Sequence, residues 1–463
     1  MRIALDKPFE GWGSFWLPGR EPHRIKGRLI YKPDDGVTVE LTENPRAGVS
    51  GVEALSQELP VLHGVLATGE PVTLDGSRLA RTETHVGVDT GIAMTHLAAR
   101  CALIGTNVKS PESLQIGRYS FGLDRLDEWL GPHFFDIKCD EGPPRSVRLE
   151  AQAPNPISAS LPHGRADVEL GRNLGMRHSL TAVEIHSGAY IQVRPRRPIT
   201  LNGARDIAWQ LQCLLSLLAD FPFRIVWWNL APFGVDDDTA DRSPISLLYQ
   251  QRLSPNPGTI RTVLLSRGFE ALRDSFPRLV EQWFQRSDQH VLATDLYFSS
   301  QLHEAPSVNV KFLAITQAIE AYHRSRGTGL YMGQGEFDKL IGEMCGHIPS
   351  RIEGDHRQSL KARLKYANEY SLRKRLLTML EEMPEPLRGS ITSGDLRSFV
   401  ARAVGMRNYY THYGLRSTKP AWTPTEIFSD AERLRALLVA SLLRDLGAGA
   451  DVLCRMVSIR LDR

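Results

Sequence analysis

Arg407, Asn408 and His412 lie close together near the C-terminus, in the run Arg-Asn-Tyr-Tyr-Thr-His. These residue types suffice to cut a ribose phosphodiester without a metal. An imidazole, with an unperturbed pKa of about 6.5, takes the proton of a 2′-hydroxyl or returns one to the leaving oxygen. A guanidinium presents a fork of donors to the charge that builds on the phosphoryl oxygens. Because an internal hydroxyl is the nucleophile, the product carries a 2′,3′-cyclic phosphate. An amide four residues before the imidazole shares its helix face and can fix its orientation.

A helix must present these groups. Phe399, Ala403, Met406 and Tyr410 recur at helical spacing and form the apolar stripe. Asn408 and His412 then project away from that stripe, together with Ala401 and Gly405, while Arg407 sits on the flank. A glycine inside a helix costs about 1 kcal/mol relative to alanine, so Gly405 calls for a reason. Small residues around a polar pair admit a second helix or a phosphate backbone. Such a short motif also occurs by chance on solvated helix faces. The helical setting, the adjacent amide and the small polar face favour chemistry.

Around this helix the sequence reads as a bundle. Segments 310–325, 360–380, 395–413 and 425–446 all carry the 3.6-residue period, and Phe312, Ile315, Ile319 and Tyr322 make one stripe. The first half differs. Short β-type runs at 27–31, 37–41, 61–66, 72–74 and 101–104 alternate with Gly and Pro breaks. A short helix at 126–130 stops at Gly131-Pro132. Strands follow at 180–185, 189–195 and 223–230, around a helix at 204–219, and 269–286 reads as helical. The fold class expected is α+β. A β-rich region, 1–295, in two lobes (1–150 and 151–295), precedes an all-α helical bundle, 296–463.

Between Arg351 and Arg375 eight Lys or Arg face three acidic residues. Lys361, Lys365, Arg373, Lys374 and Arg375 make a stripe suited to phosphates, and Tyr366 and Tyr370 at i and i+4 suit stacking on bases. The competing reading is a solvated helix face with both tyrosines in the core. Glu320, with Thr316 and His323 on its helix face, is placed either to orient His412 or as a plain surface carboxylate. His323 itself reads as solvated.

Composition excludes several classes. Hydrophobic residues at 42% and charged residues at 24% are ordinary for a globular protein, and a net charge of +3 names no partner. The five cysteines form no CxxC pair, which argues against a disulfide framework and for a reducing cytoplasm. Cys345 and His347 lack a second ligand pair. Asp236, Asp237, Asp238 and Asp241 lack calcium-loop spacing and read as an exposed acidic turn. The glycines at 327–333 lack the Lys-Ser/Thr of a phosphate loop. No metal and no cofactor are expected. No secretion signal and no apolar run near ~20 residues is present, so no membrane segment is expected.

The bundle resembles a HEPN domain, whose motif Arg-Asn-x3-His is matched by Arg407, Asn408 and His412. The helix at 312–325 is similar to the first helix of the ApeA-type HEPN subgroup, in which an acidic residue faces the motif; Glu320 matches it. The N-terminal half is similar to the ApeA N-terminal region in Gly27-Arg-Leu-Ile-Tyr, Pro71-Val-Thr-Leu and Phe121-Gly-Leu-Asp-Arg-Leu-Asp-Glu-Trp. The resemblance implies an anti-phage ribonuclease acting by abortive infection on structured RNA such as tRNA. It also implies a homodimer in which two motifs meet. The N-terminal region is then expected to sense a phage-derived trigger or to restrain the bundle. The alternative is a non-catalytic HEPN module that only dimerises or binds RNA or nucleotide. Such a module has no need of His412.

Overall fold

The computed structural model describes residues 3–45, 58–86, 91–131, 135–140, 146–235, 244–251, 269–270, 272–302, 307–327, 329–412 and 422–461. The chain divides into two compact units, Met1–Phe284 and Gln285–Arg463. The first is β-rich and the second is all-helical.

Six strands of the first unit close into an antiparallel barrel. They are β1 (Phe9–Trp16), β2 (Ile25–Lys32), β3 (Gly36–Leu41), β4 (Glu58–Leu66), β5 (Pro71–Val86) and β6 (Gly91–Ala99), in the order β5-β4-β1-β2-β3-β6, with β6 returning to β5. Alternation dictates the inside: Ile25, Leu29 and Tyr31 of β2 point inward while Lys26 and Lys32 are exposed. At Gly27 an added Cβ would meet the Glu40 carbonyl oxygen and the Leu41 side chain, so only glycine lets β3 approach.

β5 is long enough to serve two neighbours on one edge. Val72–Asp75 pair with β7 (Cys101–Ile104), and Arg78–Val86 pair with β6. The barrel thus runs on into an open sheet of order β7-β15-β14-β8-β13-β12-β11. Its further strands are β8 (Ile116–Leu123), β11 (Ile157–Ser160), β12 (Ala166–His178), β13 (Val183–Pro195), β14 (Ile225–Pro232) and β15 (Ile245–Tyr249). β9 (Phe135–Asp140) and β10 (Ser146–Ala151) form a separate two-stranded sheet among the described residues. Strands on both sides of residue 150 therefore belong to one sheet. Helix α1 (Leu126–Trp129) buries Trp129 against Phe269, with ring centroids 4.8 Å apart. Helix α2 (Leu201–Ala219) starts at Thr200, whose hydroxyl accepts from the Gly203 amide, and packs on β8.

The strands expected at 180–185 and 189–195 are one strand, β13. Residues 179–182 form the β12–β13 turn, closed by the Ser179 amide donating to the Ala182 carbonyl, and Leu180 at its tip is fully exposed. The apolar run there misled because nothing buries it. Asp236, Asp237, Asp238 and Asp241 lie outside the described residues.

Helix α3 (Phe276–Leu302) begins in the first unit and ends in the second, and residue 295 falls inside it. Then follow α4 (Val308–Ser325), α5 (Gln334–Gly346), α6 (Gly354–Lys365), α7 (Leu372–Glu381), α8 (Glu385–Thr392), α9 (Leu396–His412), α10 (Pro424–Asp445) and α11 (Ala450–Leu461). α10 is the hub, with Leu434, Leu437, Leu438 and Val439 fully buried. It starts with a capping box between Thr423 and Glu426. The Tyr322 hydroxyl of α4 donates to Asp445 at 2.6 Å, and Arg402 of α9 grips the buried Asp430 through Nε (2.5 Å) and Nη2 (2.8 Å). These two links fix α4 and α9 against α10. No helix among the described residues is long and apolar enough to cross a membrane.

The helix expected over 360–380 is broken at 366–371. Buried Asn368 exchanges hydrogen bonds with the Met332 backbone at 3.0 and 2.9 Å, and the Tyr370 amide donates to the Gly329 carbonyl. These bonds divert the chain, and Ser371 then caps α7 by accepting from the Lys374 amide.

Candidate active site

α9 turns Phe399, Ala403 and Met406 of its apolar stripe inward, while Tyr410 is only half-buried. Phe399, Val400, Ala403 and Met406 are fully buried, Arg407 is half-buried and Asn408 is exposed. The Arg407 guanidinium lies 3.3 Å from Glu320 Oε1 on α4, and its Nη1 donates to Asn408 Oδ1 at 3.4 Å. Glu320, Arg407 and Asn408 are therefore one hydrogen-bonded group. Glu320 pairs with Arg407 and is not a plain surface carboxylate; its other expected role, toward His412, concerns a side chain outside the described residues. His412 is the last residue of α9; its side chain lies outside the described residues.

Gly405 has an intramolecular reason. An added Cβ there would stand 3.3 Å from Trp422 Cζ2, so the indole edge covers this point of α9. Trp422 also meets the Tyr409 ring edge-on at 6.2 Å. The small outer face expected from the sequence is thus partly occupied by the chain itself.

Beside Arg407 and Asn408 opens a cavity of about 470 Å3. Glu320 and Arg324 line it from α4 and Val404 from α9; residues 366–371 and the start of α7 supply Tyr366, Glu369, Tyr370, Ser371, Leu372, Arg373 and Arg375. The basic stripe divides here. Lys361 and Lys365 are exposed on α6 and do not line the cavity. Arg373 is exposed at its rim. Lys374 is half-buried, its ammonium 5.7 Å over the Tyr370 ring.

Arg375 is not a surface cation: it is 1% exposed. Its Nε donates to the Tyr370 carbonyl at 2.9 Å, its Nη1 lies 3.1 Å from His323 Nδ1, and its Nη2 lies 3.4 Å from Glu369. The register of α7 decides this, since Leu372, Leu376 and Met379 turn the same side inward. Burial, and secondarily Arg324, pulls the Arg375 guanidinium below its ordinary value. His323 is likewise fully buried rather than solvated. A guanidinium only donates, so His323 Nδ1 accepts and Nε2 carries the proton. Burial, then the charge of Arg375, holds this imidazole below its usual pKa.

Sequence reasoning missed Arg324, Glu369 and Asn368, which are distant in sequence from the motif. It had a signal for His323, which follows Ile319 by four residues and so continues the buried stripe of α4. Gly329 closes this network: its φ is +118°, and a Cβ would stand 2.9 Å from Arg375 Nη1. His347, two residues from Cys345, points Nδ1 at the Glu343 carbonyl 2.8 Å away.

No curated protein and no solved structure matches the chain. Two family models do. One, described as ApeA N-terminal domain 1, matches residues 12–254, more than half of the chain. The other, described as Apea-like HEPN, matches residues 313–452, which include Glu320 and the whole Arg-Asn-x3-His motif. The chain therefore belongs to the ApeA family, with its N-terminal ApeA domain followed by an ApeA-like HEPN domain.

Proposed function

We propose that this protein is a metal-independent endoribonuclease that cuts structured RNA, tRNA foremost, to 2′,3′-cyclic phosphate ends. Family membership supports a HEPN nuclease-type role in anti-phage defence. The observation that carries the finer reading is the Glu320–Arg407–Asn408 group at the mouth of a cavity. A carboxylate holding a guanidinium beside open space prepays the ordering of a long side chain, so its remaining donors meet a phosphoryl group at lower entropic cost.

In the reaction the 2′-oxygen attacks phosphorus and the bond to the 5′-oxygen breaks. The proton of the 2′-hydroxyl passes to an imidazole, and the leaving oxygen takes one from an acid on the opposite side. One chain supplies a single motif histidine, His412. HEPN domains commonly dimerise, and two copies related by a two-fold axis supply both base and acid. The homodimer, a cytoplasmic location, abortive infection as the outcome, and a phage-derived trigger acting on residues 1–295 complete the proposal.

The test is incubation of the pure protein with total tRNA, with and without EDTA, followed by end-group analysis. Cleavage that persists in chelator and leaves cyclic phosphates is expected. Activity that vanishes with chelator and returns with magnesium sinks the mechanism.

A further inference from the structure

We propose that the cavity beside Arg407 and Asn408 is a subsite for an unpaired nucleotide, whose base lies on Tyr366 and whose phosphate is held by Arg373. This rests on the ribonuclease reading and adds to it which RNA the site admits.

The charges of the lining point to a phosphate. Arg324, Arg373, Arg375 and Arg407 face only two carboxylates, Glu320 and Glu369. Three of these arginines are committed. Arg407 pairs with Glu320, while Arg324 and Arg375 share Glu369 at 2.9 and 3.4 Å. Arg373 is exposed and has no ion-pair partner among the described residues. It is the cation left over for an anion that enters.

The aromatic groups point to a base. Tyr370 is already engaged: its ring packs 4.8 Å from Tyr331 and lies under the Lys374 ammonium. Tyr366 lines the same cavity and is 70% exposed. A large ring left in water at the rim of a basic cavity offers a stacking face at no cost in displaced packing. The wall behind it is tied by hydrogen bonds: Asn368, Arg375 and His323 are buried, Asn368 bonds the Met332 backbone, and Arg375 bonds the Tyr370 carbonyl and His323. The volume, about 470 Å3, lies within the range of small-ligand pockets.

A base inside a duplex is stacked and paired and offers no face to a side chain. Single-stranded loops, bulges and ends do. Stacking on Tyr366 in the cavity that Arg407 also lines therefore selects RNA that is unpaired at this site.

The experiment uses the full-length protein and a 2′-O-methyl oligonucleotide, which cannot be cleaved, as a single strand and as a duplex with its complement. Binding is followed by fluorescence polarisation against salt. Cleavage of a natural RNA hairpin is measured in parallel. The single strand should bind more tightly than the duplex. Tyr366→Ala should weaken single-strand binding about tenfold and Tyr366→Phe should restore it, since the ring and not the hydroxyl is used. Arg373→Gln should reduce the salt slope by about 0.7. The exposure of Tyr366 and Arg373 lets both variants keep the wild-type melting temperature. Equal affinity for strand and duplex, or wild-type binding by Tyr366→Ala, overturns the subsite. If the hairpin is still cut in that case, the ribonuclease reading survives alone. Tyr366-dependent binding upholds the subsite whether or not the untriggered wild type cuts the hairpin.

Discussion

The Arg407 guanidinium of α9 stands 3.3 Å from the Glu320 carboxylate of α4, a pair formed between residues 87 positions apart. Arg407 also reaches Asn408, so two of its donors are held at a residue that lines the cavity. Glu320→Gln keeps a neutral acceptor of the same shape but removes the charge that holds Arg407. Cleavage should fall roughly tenfold to a hundredfold, while stability changes by less than about 1 kcal/mol, as for partly exposed ion pairs. Arg407→Ala should cost on the order of 100-fold or more. Single-turnover cleavage beside thermal melting checks both. Full activity in Arg407→Ala would remove it from the chemistry.

Trp422 covers Gly405, which sets a second expectation. Gly405→Leu must displace the indole within its own chain, a steric insertion that typically costs about 1–3 kcal/mol. A lower melting temperature and altered tryptophan fluorescence should accompany it. Light scattering shows whether the proposed dimer is lost as well. His412→Ala, which removes little volume, should keep the dimer mass and lose cleavage. An active monomer excludes a composite site.

His323 ties stability to pH. In the unfolded chain its imidazole protonates near pH 6.5. In the folded chain burial, then Arg375, holds it lower, and Arg326 acts in the same sense against the opposing Glu382. Between the two values the unfolded chain binds more protons. The stability tied to His323 is thus complete above about pH 6.5 and is lost as pH falls through the folded value. Buried His290, lowered mainly by desolvation, acts in the same direction. The melting temperature should drop from pH 7 to pH 5, and less so in His323→Gln. A His323→Gln protein with the wild-type pH dependence would exclude this residue as a source.

The HEPN unit should fold from residue 285 onward. The Gln289 side chain donates to the Ser325 carbonyl at 3.0 Å, and the His290 ring packs 5.2 Å from Tyr322. A fragment of residues 285–463 keeps these contacts, while one beginning at 296 loses them and should melt at a lower temperature. Circular dichroism of the longer fragment should be predominantly helical; a β-type or unfolded spectrum counts against an autonomous unit.

Local pattern alone determined the motif helix. Its 3.6-residue period puts Phe399, Ala403 and Met406 inward, which leaves Asn408 facing outward and Arg407 on the flank wherever the helix packs. The same holds for the alternation of β2 and the stripe of α4. Only the tertiary structure decided which carboxylate meets Arg407, that Arg375 and His323 are internal, and that the apparent helix over 360–380 breaks at 366–371. It also decided that β5 returns to β6 and closes the barrel. The physical reason is range. Helix and strand periodicity arise from neighbours a few residues apart and are written in sequence. The break at Asn368 and the Arg407–Glu320 pair depend on segments far apart in the chain, whose meeting is fixed by packing against α10 and by the need of buried polar groups for partners.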